Sequence, residues 1–193
     1  IKDIITAMHI PVLQVDGFEA DDVIGTLATK AGEAGVQTYM LTPDKDYGQL
    51  VRDNVFIFRP RHGGGYETMG PKEVCEKYEL HSPIQVIDLL ALMGHSADNS
   101  PGCPGVGPKT ATKLISEFGS IDSILENSAK IKGKLREKVE GAVDDIRMSK
   151  FLATIRTDVP IDLDLDALKL QEPDTTRLAE IFTELEFKSL LDK

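Results

Sequence analysis

Six carboxylates stand in three groups along the chain: Glu19, Asp21 and Asp22, then Asp44 and Asp46, then Asp98. Carboxylate oxygens are hard donors, and magnesium typically takes one or two of them while keeping several waters. Two such ions, roughly 3.5–4 Å apart, can stabilise both the attacking and the leaving oxygen of a phosphoryl displacement. The third group runs into the turn Pro-Gly-Cys-Pro-Gly-Val-Gly at 101–107. Gly102, Gly105 and Gly107 permit positive φ and close backbone approach. The helix expected to open at Pro108-Lys109-Thr110 would present N–H groups and the positive end of its dipole to an anion. Acids that can hold metal and a turn that can hold phosphate together point to a metal-dependent enzyme acting on nucleic acid.

The elements that must position these residues follow from periodicity and punctuation. A helix end is expected near 4–8 and a strand at 10–15. A helix over 20–34 stops at Gly35, followed by a strand at 36–41, a short helix at 47–51 and a strand at 55–58. Arg59, Arg61 and His62 read as part of a hairpin loop into a short strand at 66–69. Beyond it the pattern is helical. Pro71, Pro83 and Pro108 each open a helix, reaching Tyr78, Met93 and Phe118, as proline's fixed φ favours the first helical turn. Gly119 ends the last of these, Ser120 caps another, and helices are expected within 134–155 and 175–185. Alternating helix and strand implies a parallel sheet with right-handed crossovers. Ligands of such sheets bind beyond the carboxyl ends of the strands. Strands 10–15 and 36–41 would then deliver both acidic groups to one edge. The expected organisation is an α/β part over 1–80 and a helical part over 81–193.

Spacing alone leaves a second account open. Acids suit the first turn of a helix, Asp44 or Asp46 could cap the next one, and Asp98 with Asn99 could form a turn. The glycines could serve only to connect packed helices. The pattern P-G-x-P-G-x-G-x-K-T-A between two helices is, however, that of a helix–hairpin–helix, which grips nucleic-acid backbone without reading bases.

The chain has 193 residues and a formal charge of −10, which by itself argues against a nucleic-acid partner. Bound cations would offset the acidic groups, and the segment 130–138 is locally basic. Lys130, Lys132, Lys134, Arg136 and Lys138 there could add salt-dependent backbone contacts. Cys75 and Cys103 have no metal-type spacing and suggest no disulfide framework. No apolar run is long enough to cross a bilayer.

The segments GFEADDVIGTLA (17–28), TPDKDYGQLV (42–51) and DNSPGCPGVGPKTA (98–111) closely resemble the 5′-to-3′ exonuclease domains of bacterial DNA polymerases I, within the flap endonuclease superfamily. The resemblance continues through KGKLREK (132–138), LATIRTDVP (152–160) and LEFKSLL (185–191), so it spans essentially the whole chain. It implies an α/β, parallel-sheet (PIN-like) nuclease core followed by an all-α helix-hairpin-helix (helix-three-turn-helix) region. It further implies a nuclease with two Mg2+ ions that removes 5′ flaps and RNA primers from duplex ends in replication and repair. Glu19, Asp21 and Asp22 would serve one metal, with Asp44, Asp46 and Asp98 on the shared and second-metal side. Gly102, Gly105, Gly107, Lys109, Thr110, Lys132, Lys134 and Arg136 would hold DNA, in this family often with K+ at the hairpin. A polymerase domain would follow, in a bacterial cytoplasm close to the nucleoid.

Three departures from the family pattern stand out. The family's first strand with its metal-binding Asp, and its arch region, have no counterpart here, so the chain reads as a C-terminal part of the nuclease domain. His95 occupies a position where the family has Asp. Imidazole suits transition metals better than magnesium, and would weaken the second site and favour Mn2+. Ser100 and Pro108 replace an apolar and a polar residue. A competing reading is a non-catalytic, structure-specific DNA-binding module that keeps the hairpin. A metal-dependent ribonuclease of a small α/β fold would account for the acids but not the hairpin.

Overall fold

The computed structural model describes residues 1–61, 63–95 and 99–191. His62 and Asp98 therefore lie outside the described residues. The chain forms two compact units, one from residues 18–159 and one from residues 1–17 with 160–193.

The larger unit begins with α2 (Ala20–Glu33), numbered after α1 (Lys2–Ala7) of the other unit. Gly35 follows it with φ +76°, as the sequence predicts for a helix stop. Three strands come next, β1 (Thr38–Leu41), β2 (Val55–Pro60) and β3 (Tyr66–Met69). β1 pairs parallel with β2, with Thr38 opposite Val55, and β2 pairs antiparallel with β3, with Ile57 opposite Met69. The parallel pairing of β1 with β2 and the hairpin return at β3 both follow the sequence expectation. A parallel return needs a crossover of a dozen or more residues, whereas the loop here is short and carries Gly63, Gly64 and Gly65 all at positive φ. Met40, Val55, Ile57 and Met69 face the core. The alternate positions carry stacked rings, Tyr39 on Phe56 at 5.4 Å and Phe58 on Tyr66 at 4.8 Å.

The helices α3 (Pro71–Tyr78), α4 (Val86–Met93), α5 (Pro108–Phe118), α6 (Ile121–Glu126), α7 (Lys134–Gly141) and α8 (Val143–Ala153) complete this unit. The helix expected from Pro83 opens as a 3₁₀ turn, Pro83–Gln85, before becoming α-helical. The expected helix at 47–51 is likewise a 3₁₀ turn, Asp46–Leu50. Ser120 caps α6 by accepting the Ser123 N–H. Leu92, Ile115, Ile121, Ile124 and Ile146 are fully buried and join the helices into one core with the sheet.

In the smaller unit, α1 (Lys2–Ala7) meets α9 (Thr175–Glu184), with α10 (Lys188–Leu191) behind it. The Asp174 carboxylate caps α9 through the Arg177 N–H, and the Asp174 N–H donates to the Ala7 carbonyl. Residues 10–15 form no strand here, contrary to expectation. Ile10, Val12 and Leu13 are exposed. Pro11 removes a ladder donor near the start of the apolar run, and strand-like composition does not make a strand without a neighbour to pair.

Candidate nuclease site

Because 10–15 is not a strand, the first acidic group is placed by a helix start. Glu19 is the N-cap of α2 and is exposed, and its side chain makes no capping bond. Asp21 and Asp22 lie in the first turn and are held by long-range partners. Asp21 Oδ1 accepts the Tyr47 hydroxyl at 2.7 Å, and Asp22 Oδ1 accepts the Arg156 N–H at 2.9 Å. The second group follows β1. Asp44 Oδ1 accepts the Asp46 N–H at 3.0 Å and so starts the 3₁₀ turn. The N-cap of that turn is Lys45, so Asp44 braces the approach to it rather than capping it.

The two groups meet at Tyr47. Its ring is buried, and its pKa is pushed up first by burial, then by the bond to Asp21, then by the charges of Asp21, Asp44 and Asp46. Asp21 from the first segment thus bonds the hydroxyl, and Tyr47 itself stands next to Asp46 in the second. Among the described residues no three acidic, histidine or cysteine side chains stand close enough to share one ion. The donor chemistry nevertheless suits a hard cation: Asp21, Asp22 and Asp44 each engage one oxygen with the protein and have a second to offer.

A strap after α8 locks this arrangement. Gln49 donates to the carbonyls of Asp46 and Ala153, both at 2.9 Å, and accepts the Ile155 N–H at 2.9 Å. The Val159 N–H donates to Thr26 Oγ1 at 3.1 Å. Arg156 pairs with Asp158 and lays its guanidinium over the Phe18 ring, 4.9 Å from the centroid, next to Asp22.

The hairpin lies between α4 and α5. His95 and Ser100 exchange two backbone hydrogen bonds, and the Cys103 N–H returns to the Leu92 carbonyl. Gly94 and Gly102 cross so closely that a β-carbon on Gly102 would stand 2.4 Å from Gly94 N. The Gly102 N–H donates to the buried Ser149 hydroxyl of α8 at 2.8 Å. Gly102 and Gly105 have positive φ, as the turn demands. Gly107 does not use that freedom: it is the extended N-cap of α5, at φ −95°. Pro108 has no N–H, so Lys109 supplies the first free amide of the helix. One cleft is lined by Asp46, Leu90, His95, Ser100, Leu152 and Ala153, so the flanks of the third acidic group reach the second.

The proposed DNA-holding residues divide. Thr110 and Lys132 line a groove of about 260 Å³ together with Lys113 and Lys130. Lys109 lies in an adjoining groove beside Glu79 and Thr112, which shares Lys113 and Glu117 with the first. Lys134 is exposed, Arg136 pairs with Glu140 at 2.7 Å, and Lys138 Nζ stands 2.5 Å from where a Gly105 β-carbon would be. Sequence reasoning missed Tyr47, Gln49, Lys113, Ser149 and Arg156. For Lys113 alone there was a local signal, one helical turn beyond Lys109 on the same face.

The fold is shared with solved nucleases. T5 5′-exonuclease with bound zinc superposes with TM-score 0.68 at 21% identity, covering 92% of this chain and 62% of that one. The catalytic core of Rad2 in complex with DNA substrate gives TM-score 0.62 at 16% identity, covering 95% and 60%. The family model of the 5′-3′ exonuclease N-terminal resolvase-like domain matches residues 1–79, and that of its C-terminal SAM fold matches residues 81–176. The chain belongs to the 5′-3′ exonuclease family. Thermostable DNA polymerase I of Thermus aquaticus is 41% identical over 99% of the chain, and DNA polymerase I of Bacillus subtilis is 41% identical over all of it. The chain spans 22% of the length of each of these relatives.

Proposed function

We propose that the chain is the nuclease part of a DNA polymerase I, hydrolysing phosphodiesters at 5′ flaps, nicks and RNA–DNA primer junctions, with a polymerase domain following in the full protein. The observation that carries this reading is the 2.7 Å bond from the Tyr47 hydroxyl to Asp21, which joins the first acidic group to the segment bearing Asp44 and Asp46, with Asp46 lining a cleft shared with His95 and Ser100. In this reading residues 1–80 bear most of the metal ligands and residues 81–193 the DNA grip. Glu19, Asp21, Asp22, Asp44, Asp46 and Asp98 would hold two divalent cations, Mg2+ by the preference of oxygen donors, with Mn2+ favoured by His95. Such ions, when bound, lower the pKa of water and neutralise charge building on the phosphate. The protein's own contribution is orientation: Gln49 and the strap fix the acids, and the hairpin holds the duplex. There Gly102, Gly105, Gly107, Lys109 and Thr110 would meet one phosphate run, with K+ as an additional counter-charge, and Lys132, Lys134 and Arg136 would extend it. Arg136 must leave Glu140 to do so.

A second reading, a structure-specific DNA-binding module without catalysis, is favoured by the lack of a three-ligand group among the described residues. Incubating the chain with a 5′-flap duplex in Mg2+ or Mn2+ decides between them. The nuclease reading expects cleavage leaving a 5′-phosphate, abolished by chelation and by Asp44→Asn. Flap binding with neither cleavage nor Mn2+ binding by the chain would establish the module.

A further inference from the structure

We propose that Tyr47 is a positioning residue for the metal-binding carboxylates, its hydroxyl tying Asp21 to the segment that carries Asp44 and Asp46. This rests on the metal-site reading above. Tyr47 sits one residue after Asp46, on a 3₁₀ turn whose side chains are buried from Tyr47 to Leu50. Its ring is only 4% exposed and belongs to the core, which fixes where the hydroxyl can point. Packing accounts for the ring, since an apolar side chain of similar size would fill the same space. It does not account for the oxygen, which reaches across 26 positions of sequence to Asp21 Oδ1 at 2.7 Å.

A phenol at neutral pH is an uncharged donor. It can therefore hold a carboxylate without cancelling the negative charge that attracts a cation, as a lysine or arginine would. Such a donor restricts Asp21 to one orientation while leaving its second oxygen for metal. It also registers the start of α2 against the loop after β1, so both acidic groups move together. Outer-shell partners of this kind typically change metal affinity by about 10–100-fold when removed.

Tyr47→Phe deletes the oxygen and keeps the ring. The Mn2+ dissociation constant, read by water-proton relaxation, is expected to rise about tenfold with thermal unfolding close to wild type. In flap cleavage the metal concentration for half-maximal rate should rise by a similar factor, and the rate at saturating metal should recover. Wild-type Mn2+ affinity in Tyr47→Phe overturns the inference. A wild-type chain that binds no Mn2+ overturns the metal-site reading and this inference with it. If Tyr47→Phe does not fold, a second chain carries the test. The sequence has no tryptophan and four tyrosines, so replacing Tyr39, Tyr66 and Tyr78 by Phe leaves Tyr47 as the single ultraviolet antenna. Tb3+ emission excited through tyrosine should persist in that chain and be displaced by Mn2+. Its loss overturns the inference.

Discussion

Gly102→Ala separates the geometric role of the hairpin glycines from their contact with a ligand. An alanine held at φ +64° carries a left-handed backbone penalty of about 1–2 kcal/mol. Its β-carbon would also stand 2.4 Å from Gly94 N and 2.7 Å from Gly94 Cα and the Met93 carbonyl carbon, all backbone atoms that no rotamer change can move. If the crossing opens, the Gly102 N–H and the fully buried Ser149 hydroxyl lose each other, adding about 1–3 kcal/mol. The sum, about 2–5 kcal/mol, is a large share of the roughly 5–15 kcal/mol that stabilises a typical domain. With a urea m-value near ~2 kcal/mol/M, the unfolding midpoint should fall by about 1–2.5 M. The neighbouring glycines are internal controls. Gly105→Ala meets only the movable end of Lys138 besides its φ of +71°, so about 1–2 kcal/mol is expected. Gly107→Ala meets nothing within 4 Å at negative φ and should stay within about 0.5 kcal/mol. Equal midpoints for wild type and Gly102→Ala, or a ranking in which Gly107→Ala is the worst, would refute this reasoning.

Gly25→Ala should destabilise the chain by about 1–3 kcal/mol although alanine favours helices, because its β-carbon would lie 2.6 Å from Ile155 Cγ2 and 3.2 Å from the Arg156 carbonyl; chemical denaturation measures this, and flap cleavage should fall with it as the strap lifts. Burial holds the Asp88 carboxyl above its ordinary value of 3.8, against the opposing Ile121 N–H and Lys150. The folded chain therefore keeps this proton where the unfolded chain has released it, and stability falls as pH rises from 3.8 through the raised value. Asp88→Asn should remove that slope, so its Tm advantage over wild type grows with pH across the window. Lys113→Ala and Lys132→Ala should each weaken flap binding for any sequence. Each should also lower the slope of log affinity against log salt by about 0.9 for every phosphate no longer neutralised, as titrations at several salt concentrations would read.

Much of the scaffold was legible because proline is informative wherever it stands. It marked the starts of α3 and α5 to the residue, and the glycine-rich loop announced β3. Residues 10–15 misled for the same local reason, since composition reports a tendency to pair and says nothing of whether a partner exists. The extended backbone of Gly107 depends on which segments cross in the hairpin, which is not a property of single residues. At the site, the acids were legible as types and spacing. What holds them was not: the reach of Tyr47 to Asp21 and the contacts of Gln49 with residues over 100 positions away exist only after folding.

Helix α8 gives the hairpin its Ser149 hydroxyl at one point and, at its end, runs into the strap that binds Gln49 and Asp22. The two family models divide the chain near residue 80, yet the acids of the first half are braced by a segment of the second. Recombination between relatives at that boundary would join an acidic turn to a strap shaped for another lineage's helix start. The two halves therefore depend on one another, and chimeras cut at residue 80 should keep their helices while losing the registration of their acids. A cut that carries residues 153–159 along with the first half would preserve it.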